Sequence, residues 1–232
     1  MEEEQKLLTP RVVLQVLLVI VVVPLLPLLI SWRWNWWEAW AYAIICILGF
    51  VISRRLAARR HPDLLIERAR MLRHEDAKPW DRVLAPLAGL GGALIVIVVG
   101  LDARFGWSSA FGHPARLTAL AVILAGFVLG SLALIENRYF SGMVRIQTER
   151  DHRVVSTGPY RWVRHPGYAG VLTTYLLTPV FLDSGWAFFP AGVAAAVLII
   201  RTVLEDRTLR EELEGYREYA RQVRYRLVPG IW

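Results

Sequence analysis

The stretch VLAPLAGLGGALIVIVVGL, residues 83–101, runs for nineteen positions without one charged side chain. A helix needs roughly 20 apolar residues to cross a hydrocarbon core, so this stretch reads as a membrane span. Five more apolar runs flank it, at 11–31, 36–53, 117–137, 168–182 and 185–203. The run at 168–182 is short and carries Thr173, Thr174 and Thr178. Six transmembrane helices are therefore expected, with five as the alternative. Composition points the same way: 55% of the 232 residues are hydrophobic, against roughly 45–50% in soluble domains. The expected fold class is an all-α integral membrane protein.

Charge placement tests the count independently. Of 27 Lys and Arg residues, 24 fall at or before the start of the first run, in 54–82, in 138–164 or in 201–226. Only Arg33, Arg104 and Arg116 occupy the alternate connections. That asymmetry is the positive-inside pattern of six spans with both termini cytoplasmic. Basic residues interleaved with spans meet anionic membrane lipids, so the net charge of +7 calls for no nucleic acid. The start MEEEQK is acidic and lacks the basic region of a cleavable signal. The single Cys46 lies inside a span and offers neither a disulfide nor a cysteine metal site.

Two regions are expected. Residues 1–137 hold the N-terminal spans and the basic cytoplasmic loop 54–82; residues 138–232 hold a long loop, a terminal helical hairpin turning near Asp183–Gly185, and a tail. Pro24 and Pro27 kink the first span, and Trp32, Trp34, Trp36, Trp37 and Trp40 cluster where interfacial aromatics anchor helices. In the 54–82 loop, Leu64, Leu65, Ile66, Ala69 and Leu72 form a stripe suited to a helix lying on the membrane surface. His61 and His74 have no third ligand at metal spacing and read as solvated, so no metal is expected. Residues 204–226 read as a charge-laced amphipathic cytoplasmic helix.

Polar chemistry concentrates after the fourth span. In VVSTGPYRWVRHPGYAG, residues 154–170, Gly158-Pro159 marks a turn. Pro166 keeps His165 out of helical geometry. The helix that follows presents free N–H groups to an anion. Arg161 and Arg164 read either as positive-inside anchors or as part of a site. A second cluster, Arg201, Glu205 and Asp206, closes the sixth span. Arg201 and Glu205 share a face at i,i+4, which leaves an ordinary salt bridge and a functional pair both open. No glycine-rich GxGxxG follows a strand, so a soluble nucleotide-binding domain is absent.

RHPGY at 164–168, RTVLED at 201–206 and the tail GYREYARQVRYRLVPGIW at 215–232 together resemble the isoprenylcysteine carboxyl methyltransferase family, to which phospholipid methyltransferases are related. The resemblance runs from about Glu136 to the C-terminus. It implies a membrane-embedded methyltransferase that uses S-adenosylmethionine, most simply on the carboxylate of a lipophilic, isoprenylcysteine-like acceptor or a lipidated protein. Carried over by position, the cofactor contacts are Gln147, His152, Val154, Val155, Tyr160, His165, Pro166, Gly167, Tyr168 and Glu205. Arg201 becomes the substrate-facing catalytic residue. Asp206 stands where the family usually has a second glutamate.

The residue chemistry agrees. A sulfonium bearing an amino-acid head needs a carboxylate for its ammonium, which Glu205 supplies, and donors for its carboxylate. Methyl transfer is an in-line displacement that requires no metal. The competing readings are a methyl acceptor that is a lipid amine or thiol, a non-catalytic lipid-binding membrane protein, and a membrane reductase taking a nicotinamide. The topology is directly testable. Single cysteines introduced as Arg70→Cys and Ser108→Cys should label from opposite sides of sealed vesicles; labelling from one side would overturn the six-span arrangement.

Overall fold

A computed structural model of the chain describes residues 17–69, 76–108 and 111–232. The expectations placed on Lys6, Arg11, Leu72 and His74 lie outside the described residues. Among the described residues every regular element is helical. A wide turn at Leu18–Val22 leads into α1 (Val23–Ser31), followed by α2 (Trp37–Arg60), α3 (Pro62–Ala69), α4 (Asp81–Phe105) and α5 (His113–Glu136). A long irregular segment then leads to α6 (Pro166–Phe181), α7 (Phe188–Glu212) and the short α8 (Tyr216–Gln222).

Helices stand at all six apolar runs. Four of them, α2, α4, α5 and α7, are long and apolar enough to cross a membrane. α6 has 16 residues, about 24 Å at 1.5 Å per residue, which falls short of a hydrocarbon core near 30 Å. The outward faces of α2, α4 and α5 expose apolar side chains such as Leu48, Leu90 and Val128, a surface that suits lipid rather than water. Trp32, Trp34, Trp37 and Trp40 form an exposed rim where α1 meets α2.

Three expected boundaries differ. α2 and α7 overrun their apolar runs, α2 to Arg60 and α7 to Glu212. The tail is not one helix from 204 to 226: α7 stops at Leu213, Gly215 turns the chain with φ +77°, and α8 begins at Tyr216. One residue of the stripe on α3 packs inward against the bundle: Leu64 is fully buried against Ala57 of α2 and Leu134 of α5. His61, expected to be solvated, has its Nε2 buried and without a hydrogen-bond partner among the described residues.

Small residues let the helices approach closely, the usual solution where lipid removes the hydrophobic incentive to pack. α5 carries Gly126 and Gly130 four apart, and α6 crosses it at Gly170. A Cβ on Gly170 would lie 2.4 Å from the Gly126 carbonyl oxygen and 3.2 Å from the Gly130 nitrogen. α4 meets α7 in the same way, at Gly91 and Ala194.

At the end of the bundle away from the arginine-rich segments, a buried polar cluster pins the connections together. Asp102 on α4 accepts from the Ser108 N–H at 2.8 Å and from the Ser184 hydroxyl at 2.6 Å. Arg116 on α5 donates to Glu38 of α2 at 3.0 Å and to Asp183 of the α6–α7 turn at 2.6 Å. Charged groups this buried are tolerated because Arg116 is paired with two carboxylates and Asp102 is hydrogen-bonded.

The α5–α6 crossing yields a clear test. Gly170→Ala forces two backbones apart and should destabilise the purified protein by about 1–3 kcal/mol, the usual cost of overpacking. Gly130→Ala meets open space and should be tolerated. Equal thermal-unfolding midpoints for both variants in one detergent would refute the close-approach reading.

Candidate active site

The segment 154–170 is wound tightly before α6 begins. A short turn at Gly158–Arg161 starts with Gly158 at φ +56°. It buries Tyr160, whose hydroxyl receives the Asn137 amide at 3.2 Å and whose carbonyl receives the Tyr219 hydroxyl at 2.7 Å. Pro166 occupies the first helical position of α6, where its missing N–H costs nothing. The C-terminal tail clasps the segment just ahead of it. The N–H groups of Arg164 and His165 donate to the carbonyls of Tyr225 and Arg226 at 3.0 and 2.9 Å. The two arginines thereby part company: Arg161 is exposed, and Arg164 is buried.

Asp206 is the reason Arg164 can be buried. Its carboxylate is 1% exposed and accepts Arg164 Nε at 2.6 Å, Arg226 Nε at 2.9 Å and Arg210 Nε at 3.1 Å. The Tyr216 hydroxyl donates to it at 3.1 Å, and His165 Nε2 lies 3.4 Å away. Asp206 therefore joins α7, α8, the tail and the entry to α6 at one point.

Beside this junction opens a partly enclosed cavity, a concave shape of the kind that takes small molecules. Nine of the eleven residues picked out above line it: His152, Val154, Val155, Tyr160, His165, Gly167, Tyr168, Arg201 and Glu205. Gln147 and Pro166 do not. Gln147 is buried, with its amide donating to the Tyr139 carbonyl at 2.9 Å and its backbone N–H to His152 Nδ1 at 3.3 Å. It orients His152 instead of facing the cavity.

His152 stacks on Tyr139, ring centroids 4.4 Å apart. Burial, then the charges of Arg150 and Arg145, push its pKa down to about 4. The ring is neutral at physiological pH, and with Nδ1 accepting, the proton resides on Nε2. Burial holds the hydroxyls of Tyr160, Tyr216 and Tyr219 above the ordinary phenol range, so all three remain donors.

Glu205 accepts the Tyr168 hydroxyl. Gly167 is required nearby, since a Cβ there would lie 2.6 Å from the Phe140 ring. The amides of Gly167 and Tyr168 fall in the first turn of α6, where no i−4 carbonyl is available. Arg201 does not pair with Glu205. Its Nε and Nη2 grip Asp81 at 2.6 and 2.9 Å, Nη2 also donates to the Gly142 carbonyl at 2.9 Å, and its guanidinium lies 5.2 Å from the centre of the Tyr168 ring. Among the described residues, Nη1 has no protein acceptor.

Sequence reasoning missed Asp81, fully buried at the start of α4, which also accepts the Val144 N–H at 2.6 Å. One signal was available: it is the acidic residue flanking an apolar run on the basic side. Arg145 was missed too. It lines the cavity and is held bidentately by Glu67 of α3, both contacts 3.0 Å.

Asp206→Asn tests the junction. It would leave three guanidinium groups around a neutral amide, and removing one partner of a buried ionic cluster costs about 3–5 kcal/mol. The thermal midpoint should fall sharply; an unchanged midpoint would show that the arginines find other acceptors.

Residues 117–211 match the isoprenylcysteine carboxyl methyltransferase (ICMT) family. A probable protein-S-isoprenylcysteine O-methyltransferase of Oryza sativa subsp. indica is 31% identical over 112 residues, covering 45% of this chain and 56% of its own length. Protein-S-isoprenylcysteine O-methyltransferase B of Arabidopsis thaliana is 30% identical over 139 residues, 56% of this chain and 64% of its own length. The Saccharomyces cerevisiae protein-S-isoprenylcysteine O-methyltransferase is 29% identical over 108 residues, 47% and 43% of the two chains. The chain thus spans 43–64% of the length of these curated relatives. The matched segment carries most of α5, all of α6, nearly all of α7 and the irregular segment between α5 and α6.

Proposed function

We propose that this chain is a membrane methyltransferase that uses S-adenosylmethionine to methylate the carboxylate of a lipophilic, isoprenylcysteine-like acceptor. One observation carries the reading. Within the segment matching the family, a single cavity gathers a carboxylate, free helix-terminal amides, aromatic walls and a neutral histidine. Every residue lining it except Asn137 lies beyond position 137, which supports a division into an N-terminal frame (1–137) and a cofactor-binding region (138–232).

The donor set suits the cofactor. Glu205 would face the ammonium group, and the Gly167 and Tyr168 amides at the start of α6 would take the carboxylate, as helix N-termini do for anions. Val154, Val155 and Tyr160 would hold the apolar and aromatic parts, with His152 Nε2 and His165 as polar contacts. Gln147 and Pro166 would act indirectly, by orienting His152 and by starting α6. When bound, S-adenosylmethionine supplies an electrophilic methyl group on a sulfonium.

The chain's own residues then have a limited task. A free carboxylic acid has a pKa near about 3.5, so the acceptor is ionised at neutral pH and needs no general base. Alignment is what remains, and correct placement alone can supply several kcal/mol of the barrier. Arg201 would meet the acceptor carboxylate through Nη1, because Asp81 and the Gly142 carbonyl occupy its other arms. This is a one-armed contact in place of the two-pronged clamp expected of a free arginine. In the membrane, α1 and α6 join the four long helices as a six-span bundle, with the arginine-rich side and both termini cytoplasmic. The cofactor enters from the cytoplasm, and the acceptor enters sideways from the lipid.

Two variants measured together test the roles. Glu205→Gln removes the charge facing the ammonium and should weaken S-adenosylmethionine binding by about 1.5–3 kcal/mol, the worth of a charge-assisted hydrogen bond. Arg201→Lys keeps the charge but loses the planar fork. Cofactor affinity should survive in that variant while methyl transfer to a prenylcysteine acid falls roughly tenfold to a thousandfold through misalignment. An unchanged cofactor affinity in the first variant, or joint loss of binding and turnover in a folded second one, would overturn the assignment.

A further inference from the structure

Arginines around the cavity are, with two exceptions, matched to carboxylates. Arg145, Arg164 and Arg201 each hold an acidic partner at 3.0 Å or closer. Arg54 on α2 and Arg68 on α3 are partly buried, and among the described residues neither has a carboxylate within salt-bridge reach. Arg54 rests on the Phe50 ring, 3.5 Å from its centre, and donates to the Ser53 hydroxyl at 3.2 Å. Arg68 donates to the Phe140 carbonyl at 3.0 Å and lies over the Phe140 ring. Those contacts are neutral. They soften the burial of a cation without matching its charge.

The placement of the pair gives it meaning. Phe140 is a wall of the cavity, so Arg68 stands directly behind that wall. It is close enough to Arg201 and Tyr168 to feel both, and burial followed by the Arg201 charge holds its guanidinium below the ordinary arginine range. Arg54 in turn lies within electrostatic range of Arg68. Beyond Arg54 on α2, Val51 and Ile52 are exposed on the apolar outer face. Two partly buried like charges with no carboxylate partner among the described residues raise the free energy of the empty protein. A ligand anion removes that cost.

We propose that Arg54 and Arg68, with Arg201 across the Phe140 wall, form a cationic subsite that takes the oxyanion of a lipophilic ligand arriving from the bilayer. On the methyltransferase reading, on which this rests, the oxyanion is the acceptor's carboxylate, passed from the Arg54–Arg68 pair to the free Nη1 of Arg201. Acids would be preferred over their neutral esters, so the methylated product would be released.

The test uses the full chain in nanodiscs of neutral phosphatidylcholine. Calorimetry would compare N-acetyl-S-farnesylcysteine with its uncharged methyl ester. The intact protein should bind the acid at least about tenfold more tightly than the ester, the scale of a charge-assisted hydrogen bond. Arg54→Gln and Arg68→Gln should erase that preference while leaving ester and S-adenosylmethionine binding unchanged. Arg68→Lys, which keeps the charge, should retain most of it and guards against a folding artefact. Glutamine variants that still prefer the acid as the intact protein does would overturn the subsite. Suppose instead that the intact protein shows no preference for the prenylcysteine acid but binds oleate or dioleoyl phosphatidate, and the glutamine variants lose that binding. The subsite then stands with a membrane lipid as its source, and the proposed acceptor class falls. Charge-independent binding of every probe would overturn both.

Discussion

The buried carboxylate of Asp206 is the constraint on which the functional end of the molecule depends. Three arginines from three segments converge on its two oxygens, one from the entry to α6, one from α7 itself and one from the tail. The tail carries one short helix, whose Tyr216, Tyr219 and Ala220 join a small apolar cluster, and then irregular chain, so directional contacts add to that packing in offsetting lost backbone entropy. Charge-assisted hydrogen bonds to a desolvated acceptor meet that need. The same junction sets where α6 starts, and with it the positions of Gly167 and Tyr168 in the cavity wall.

The opposite end of the bundle uses the same physics for a different purpose. Asp102 and the Glu38–Arg116–Asp183 group lock the α1–α2, α4–α5 and α6–α7 connections to one another. Between the two polar ends, glycine and alanine contacts let α5 approach α6 and α4 approach α7. Helices pinned at one end and closely packed in the middle leave the arginine-rich end as the place where irregular chain can build a cavity.

Much of this was legible in the sequence, for identifiable reasons. Hydropathy marks where a helix can sit in lipid, so all six apolar runs coincide with helices. It does not mark where hydrogen bonding stops, and α2 and α7 therefore run on until Pro62 and Gly215 intervene. The stripe on α3 was visible, but a stripe does not say what it packs against, and Leu64 turned to α2 and α5. The cluster RHPGY with RTVLED was readable because its residues are close in sequence or on one helix face. The partner of Arg201 was not: Asp81 lies 120 positions away, and the short-range geometry favoured Glu205. Glu67 and Arg145, 78 positions apart, escaped notice for the same reason.

The pairing of Arg201 with Asp81 changes what kind of site this is. An arginine free at both edges would close on a carboxylate as a fork, and its own rotamers would have to be frozen at the moment of binding. Here the guanidinium is already held on one edge by Asp81 and by the Gly142 carbonyl, with the Tyr168 ring beside it. Glu205 is likewise held by Tyr168, and His152 by Gln147 and Tyr139. Each polar group facing the cavity is fixed by a neighbour that does not face it in the same role. Such a site gives up some binding strength, since part of each group's hydrogen-bonding capacity is used internally. It gains orientation before any ligand arrives. For the methyl transfer proposed above, a displacement that needs alignment more than acid–base chemistry, that orientation would outweigh the binding strength given up.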